Sequence, residues 1–195
     1  MKQTFLAKGK RGIVFLEEKN GKTVCVKKPN PESTAIYRLE NEANFLKKLN
    51  NYGIGPKFIS IKDNELRMEY IDGQRVLEYF KEASKSKILN IIKSVFKQLR
   101  FMDELNINKK EMTNPYKHII VRKDKPVMID FERCVYSEKP QNVTQFCQFV
   151  IREKTILILD KKGIKIDKKR LLELAKGYKN KPNKANYTRI LKVFT

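Results

Sequence analysis

The hydrophobic periodicity of this chain changes character at Asp72-Gly73, and that change limits what it can fold into. Before it, apolar runs predict strands. L-A-K-G-K-R-G-I-V-F-L and T-V-C-V-K-K flank E-E-K-N-G-K, in which Asn20-Gly21 is a strong hairpin signal. P-K-F-I-S-I and E-L-R-M-E-Y-I form a second pair, joined by the turn residues Lys62, Asp63 and Asn64. Between the pairs, Ile36, Leu39, Ala43, Leu46 and Leu49 recur at helical spacing behind Ser33 or Thr34 as a cap, and N-Y-G-I-G-P ends that helix. After Gly73 the helical period takes over. Ile88, Ile91, Ile92, Val95, Leu99, Met102 and Leu105 mark one long amphipathic helix from Lys85 to Leu105. An irregular loop and the strands H-I-I-V and P-V-M-I follow, and then helices near residues 142–159, 168–178 and 184–193. The order predicts an α+β fold: an N-terminal lobe over residues 1–72, made of a small antiparallel sheet and one helix, and a mostly helical C-terminal lobe over residues 73–195. A hinge is expected near Tyr70 to Gly73, with a ligand between the lobes.

A chain of 195 residues can bury one sizeable core or two small ones. No apolar run approaches the roughly 20 residues that a membrane span needs, so no membrane partner is expected. Three scattered cysteines, Cys25, Cys134 and Cys147, have neither disulfide nor metal-ligand spacing and read as buried thiols of a cytoplasmic protein. The net charge of +21 is far more than solubility requires and predicts a polyanionic partner. From Lys161 to Thr195 twelve Lys or Arg face two acids, Asp167 and Glu173. Tyr178 and Tyr187 sit among those bases, a composition that suits base stacking with phosphate contact and points to RNA or a ribonucleoprotein. The alternative is a pair of surface helices with solvated lysines and core tyrosines.

Several short stretches carry chemistry. In V-C-V-K, Val24 to Lys27, alternation puts Cys25 and Lys27 on one face and Val24 and Val26 on the other. An inward lysine on an apolar strand needs an anion, for which the following helix offers Glu40 and Glu42; the alternative is that Lys27 and Lys28 are both solvated edge residues. In V-M-I-D-F-E-R-C, Asp130 directly follows an apolar strand. It is either a solvated turn residue or an acid at the mouth of a cleft, where a hard carboxylate oxygen suits Mg²⁺.

The order of these pieces resembles a small protein kinase along nearly the whole chain. A-K-G-K-R-G-I-V, Ala7 to Val14, is similar to the glycine-rich loop G-x-G-x-x-G-x-V with Ala7 at the first glycine. The resemblance implies that Gly9 and Gly12 let the backbone approach phosphate, while Val14 covers the base. It implies that Cys25 lies against adenine, that Lys27 holds the α- and β-phosphates of ATP, and that Glu42 orients Lys27. In R-M-E-Y-I-D-G, Met68 guards the back of the adenine pocket, and the Glu69 carbonyl and Ile71 amide bond the adenine edge. V-M-I-D-F-E resembles the strand and D-F-G motif with Glu132 in place of Gly, and Asp130 becomes the metal ligand. The catalytic loop H-R-D-x-x-x-x-N is matched less closely: His118 stands at the Asn position and Thr113 where Asp is expected. Glu111, in a loop two residues longer, is the candidate for orienting a hydroxyl. His118 is a candidate for phosphate or metal contact, with a structural role as the alternative.

No long activation segment follows Glu132. That compactness resembles RIO-type kinases, the small kinase of the KEOPS complex and lipopolysaccharide-type sugar kinases. The closest resemblance is to short predicted archaeal serine/threonine protein kinases with an I-D-F-E-R motif and an N-V-T-Q-F segment. The function implied is an ATP- and Mg²⁺-binding atypical serine/threonine kinase or ATPase that acts on a protein substrate or near RNA. The alternatives are a pseudokinase-type module that binds RNA or protein without catalysis, and a small-molecule kinase.

Overall fold

The computed structural model describes residues 2–19, 21–32 and 38–195. The expected roles of Asn20 in a hairpin, of Ser33 or Thr34 as a cap and of Ile36 on the helix face lie outside the described residues. The chain forms two compact units. The first comprises Met1–Asp72 and Val127–Cys134, and the second Gly73–Pro126 and Val135–Thr195.

In the first unit five antiparallel strands run in the order β1-β2-β3-β5-β4. They are β1 (Gln3–Lys8), β2 (Gly12–Lys19), β3 (Lys22–Pro29), β4 (Phe58–Lys62) and β5 (Glu65–Glu69). The run read from sequence as one strand through the glycines is therefore two, turning at residues 9–11. Left-handed residues make the tight turns: Asp63 and Asn64 join β4 to β5, where a short polar side chain tolerates positive φ. Helix α1 (Arg38–Asn50) buries Leu39, Glu42, Ala43, Phe45, Leu46 and Leu49 on one face and packs on β3, β4 and β5. Strand register makes Val14 and Leu66 the cross-strand neighbours of Lys27, and Leu16 and Met68 those of Cys25. Opposed residues share a face, so these six line one side of the sheet. The opposite face carries Val24, Val26 and Lys28, with Lys28 paired to Glu65 at 2.6 Å. Phe131, returning after the second unit, is fully buried against Gly55, whose φ of +85° and 2.8 Å clearance to Phe131 leave no room for a Cβ.

The second unit begins with β6 (Gln74–Arg75), α2 (Val76–Glu82) and α3 (Lys85–Glu104). Then come β7 (Ile107–Lys109), a 3-10 turn at Pro115–Lys117, and β8 (Ile119–Arg122), followed by β9 (Lys125–Met128), along which the chain passes to the first unit. After β10 (Cys134–Tyr136) four helices complete it: α4 (Asn142–Val150), α5 (Glu153–Lys161), α6 (Lys168–Asn180) and α7 (Lys184–Leu191). The apolar period predicts one helix over 142–159. The structure has two, broken where Ile151 and Arg152 leave helical geometry without a Gly or Pro to announce it. Helix α2 has no counterpart in the sequence reading, because its seven residues are too few to show a period. The core centres on Phe96, with Phe146 4.8 Å away edge-on and Phe194 at 5.3 Å. None of the helices among the described residues is long and apolar enough to cross a membrane.

Gly73, at the end of the expected hinge segment and the first residue of the second unit, is closely packed. β6 pairs with β8 immediately after it, and a Cβ on Gly73 would stand 2.4 Å from the Val121 carbonyl oxygen and 2.9 Å from Ile120. Neither is the end of a flexible side chain that can swing away at no cost. Gly73→Ala is expected to destabilise the second unit by about 2 kcal/mol or more, read as a lowered urea midpoint with unchanged m. An unchanged midpoint would mean that β8 moves freely there.

Candidate functional site

Lys27 projects from β3 into a group of three carboxylates. Its Nζ lies 2.7 Å from Glu42 Oε2, 3.0 Å from Asp130 Oδ1 and 3.1 Å from Glu132 Oε2. All four residues belong to the first unit. Burial works against the Lys27 ammonium, but Glu42, Asp130 and Glu132 outweigh it and raise its pKa above the ordinary lysine value. Complete burial pushes the Glu42 carboxyl up; Lys27 opposes this, and so does the Phe131 N–H, which donates to Glu42 Oε1 at 3.1 Å. Glu42, not Glu40, is thus the helix acid that meets the lysine. Gly12 stands beside the lysine stem: a Cβ there would lie 3.1 Å from Lys27 Cε and 3.2 Å from the Lys28 carbonyl oxygen. This close approach, rather than a left-handed conformation, explains glycine at 12.

Asp130 has φ +62°, a left-handed conformation that Asp tolerates better than most residues. This turns the chain sharply out of β9 and sets Asp130 and Glu132 on the Lys27 side while Phe131 fills the core. The alternation Asp-Phe-Glu is therefore one acid, one anchor, one acid. The side chain of Asp130 is 31% exposed and that of Glu132 8%. One oxygen each of Glu42, Asp130 and Glu132 lies within 4.8 Å of the others, and a hard carboxylate oxygen suits Mg²⁺. Asp130, the most open of the three, fits best as its ligand.

Five further residues support this arrangement. Asn30, 4% exposed, donates to the carbonyls of Gly9 and Lys10 at 3.2 Å each, and its own N–H bonds the Arg11 carbonyl. It holds the glycine turn from three carbonyls. Arg11 reaches Glu132 Oε1 at 3.3 Å. Asn41 donates to the carbonyls of Glu132 and Cys134 at 2.9 and 3.0 Å, fixing the turn after Phe131. In the second unit Gln145 accepts from the Met112 N–H at 3.2 Å, next to Glu111. Asn142 accepts from the Lys109 N–H at 2.7 Å. The N-V-T-Q-F segment is thus a splint for the Glu111 loop.

Other predicted residues take these places. Met68 and Ile71 are buried, and Val14 and Cys25 are half-buried on the Lys27 face. Burial pushes the Cys25 thiol up to about 11, with Glu42 adding to it, so the thiol stays protonated near neutral pH. Gly9 is exposed, and its N–H bonds the Gly12 carbonyl at 2.8 Å. The Glu69 carboxylate accepts from the Lys57 N–H at 3.1 Å. Glu111 and His118 lie 3.7 Å apart in the second unit. Tyr178 is corrected: it is 1% exposed, its hydroxyl donating to Asp103 at 3.0 Å and accepting from Arg100 at 2.7 Å, so its ring has no face for a base.

A five-stranded antiparallel sheet whose lysine is gripped by a helix glutamate, followed by a helical unit, defines the kinase-like class of phosphotransferase folds. The family model described as the RIO domain matches residues 17–152. This chain belongs to the RIO domain family, which consists of atypical kinases. The glycine turn and the basic C-terminal helices lie outside the matched residues. Among curated proteins it is similar to uncharacterized protein MJ1211 of Methanocaldococcus jannaschii, 28% identical over 115 residues, which cover 57% of this chain and 98% of that protein.

Proposed function

We propose that this chain is an ATP- and Mg²⁺-binding atypical serine/threonine kinase. The observation that carries the reading is the convergence of Lys27 with Glu42 and Asp130 at 2.7 and 3.0 Å. Lys27 holds the α- and β-phosphates, and Glu42 fixes the ammonium so that little ordering remains to be done on binding. Val14, Cys25 and Met68 contact adenine, while the Glu69 carbonyl and the Ile71 amide bond its edge. Gly9 and Gly12 let the turn come close to phosphate, and Asp130 ligates the metal. A magnesium ion held by Asp130 would supply positive charge against the negative charge that develops in phosphoryl transfer. Glu111, kept in its loop by Gln145, orients the acceptor hydroxyl of a protein substrate, and His118 contacts phosphate. Polyanion contact, with RNA or a ribonucleoprotein, falls to the lysines and arginines of residues 161–195, through charge rather than Tyr178 stacking.

A thermal melt of the intact protein tests the nucleotide reading. ATP with Mg²⁺ at about 100 times Kd is expected to stabilise by about 2.7 kcal/mol. No shift at millimolar ATP counts against it.

Thr113 and His118, where the resemblance expects Asp and Asn, favour a second reading: a pseudokinase that binds nucleotide without transferring phosphate. Radiolabelled ATP separates the two, since release or transfer of the γ-phosphate that depends on Lys27 excludes a binding-only role.

A further inference from the structure

Glu132 stands where the kinase resemblance puts a glycine, and it is tied to one basic group of the glycine turn, Arg11, and one of strand β3, Lys27. Oε2 lies 3.1 Å from Lys27 Nζ and Oε1 3.3 Å from Arg11 Nη1. The side chain is 8% exposed, so these pairs are largely shielded from water and from salt. Its backbone is not free to drift either, because Asn41 clasps the Glu132 carbonyl at 2.9 Å. A glycine at 132 would leave Lys27 to Glu42 and Asp130 and would give Arg11 no carboxylate here. Around the lysine, the formal charges are three carboxylates, Glu42, Asp130 and Glu132, against two cations, Lys27 and Arg11, a balance of −1.

We propose that Glu132 makes nucleotide binding depend on a divalent cation, by occupying in the metal-free protein the two cations that the phosphates need. The proposal rests on the nucleotide reading above. A bare triphosphate meets a site that is already over-neutralised and must displace a buried carboxylate into a region of like charge. A divalent cation at the half-buried Asp130 offsets two of those charges, so that Glu132 can leave Lys27 and Arg11 to the phosphates. Glu132 is therefore a specificity-determining residue that selects metal–nucleotide over free nucleotide. Its carboxylate acts as an internal stand-in for phosphate, linking the glycine turn to the strand lysine when no ligand is there.

The test is calorimetric titration of the full chain with ATP, once in EDTA and once in MgCl₂, using the parent protein and Glu132→Gln. The amide keeps the shape and the Asn41 contact and removes the charge. In the parent protein, affinity is expected to fall at least about tenfold in EDTA, equivalent to about 1.4 kcal/mol. In Glu132→Gln the metal-free affinity should rise about tenfold, with the Mg²⁺ value changing less than about threefold, so that the dependence on metal largely disappears. Glu132→Gly, judged by its unfolding midpoint to be folded, should behave alike. Unchanged metal-free affinity in the variants overturns the proposal. So does a loss of affinity confined to MgCl₂, which would make Glu132 a metal ligand instead. If neither parent nor variants bind ATP in either buffer, the nucleotide reading itself falls and takes this inference with it.

Discussion

Lys27→Met is expected to cost about 3–5 kcal/mol of stability at neutral pH and to abolish any phosphoryl transfer. The cost comes from what stays behind: Glu42 is 1% exposed and would lose the ammonium 2.7 Å away. The pH dependence identifies that group. In the parent protein the raised Lys27 pKa means that the pairing contributes fully below the ordinary lysine value of 10.5 and is lost only as pH rises through the higher folded value. In the variant, Glu42 keeps its burial and loses its cation, so its already raised pKa moves further up. A raised carboxyl favours the folded state below its ordinary value of 4.5 and loses that contribution as pH rises through the folded value. The stability gap between Lys27→Met and the parent should therefore widen from pH 5 to pH 8, measured by urea unfolding. A gap of constant size would show that Glu42 is not the stranded group.

Asp130→Asn tests the other end of the site with less disturbance to the fold. Asn accepts the left-handed backbone at φ +62°, whereas Ala would add strain there, and Lys27 retains Glu42 and Glu132. Melting temperature without ligand is expected to change little. The extra stabilisation that Mg²⁺ adds to ATP should vanish, and turnover should drop by about a hundredfold or more, the order seen when one preorganised electrostatic contact to a transition state is removed. A variant that kept the parent's Mg²⁺-dependent shift would place the metal elsewhere.

Much of this site could be read before any coordinates. In V-C-V-K the strand period of two puts Lys27 on the face of Cys25, but by itself leaves a solvated edge lysine open. An acid directly after the apolar strand V-M-I reads as a solvated turn residue or a cleft acid, and the resemblance of V-M-I-D-F-E to the D-F-G motif points to the second. What was not legible is side-chain traffic between segments distant in the chain. Arg11 and Glu132 are 121 positions apart, and Asn41 meets Glu132 across 91. No local pattern encodes such pairs. The assignment of Asp130 to the C-terminal segment followed chain order, whereas its contacts group residues 127–134 with the sheet unit, because Phe131 is buried against Gly55 and Asp130 is bonded to Lys27. Gly73 shows the opposite difficulty. The change of period marks the boundary at Asp72-Gly73, but only the position of Val121 reveals that position 73 has no space for a side chain.

The polar knot at Asp103 has a practical consequence. Asp103 accepts from the N–H groups of Asn142 and Val143 and from the hydroxyl of Tyr178, so it ties the start of α4 to α6 within the basic C-terminal stretch. Those helices are bolted on rather than appended. Clipping the basic helices to strip positive charge would remove the Tyr178 hydroxyl from buried Asp103 and would confuse loss of packing with lost affinity. Charge reversal at exposed lysines such as Lys168, Lys176 and Lys184 dissects the surface while leaving its foundation in place.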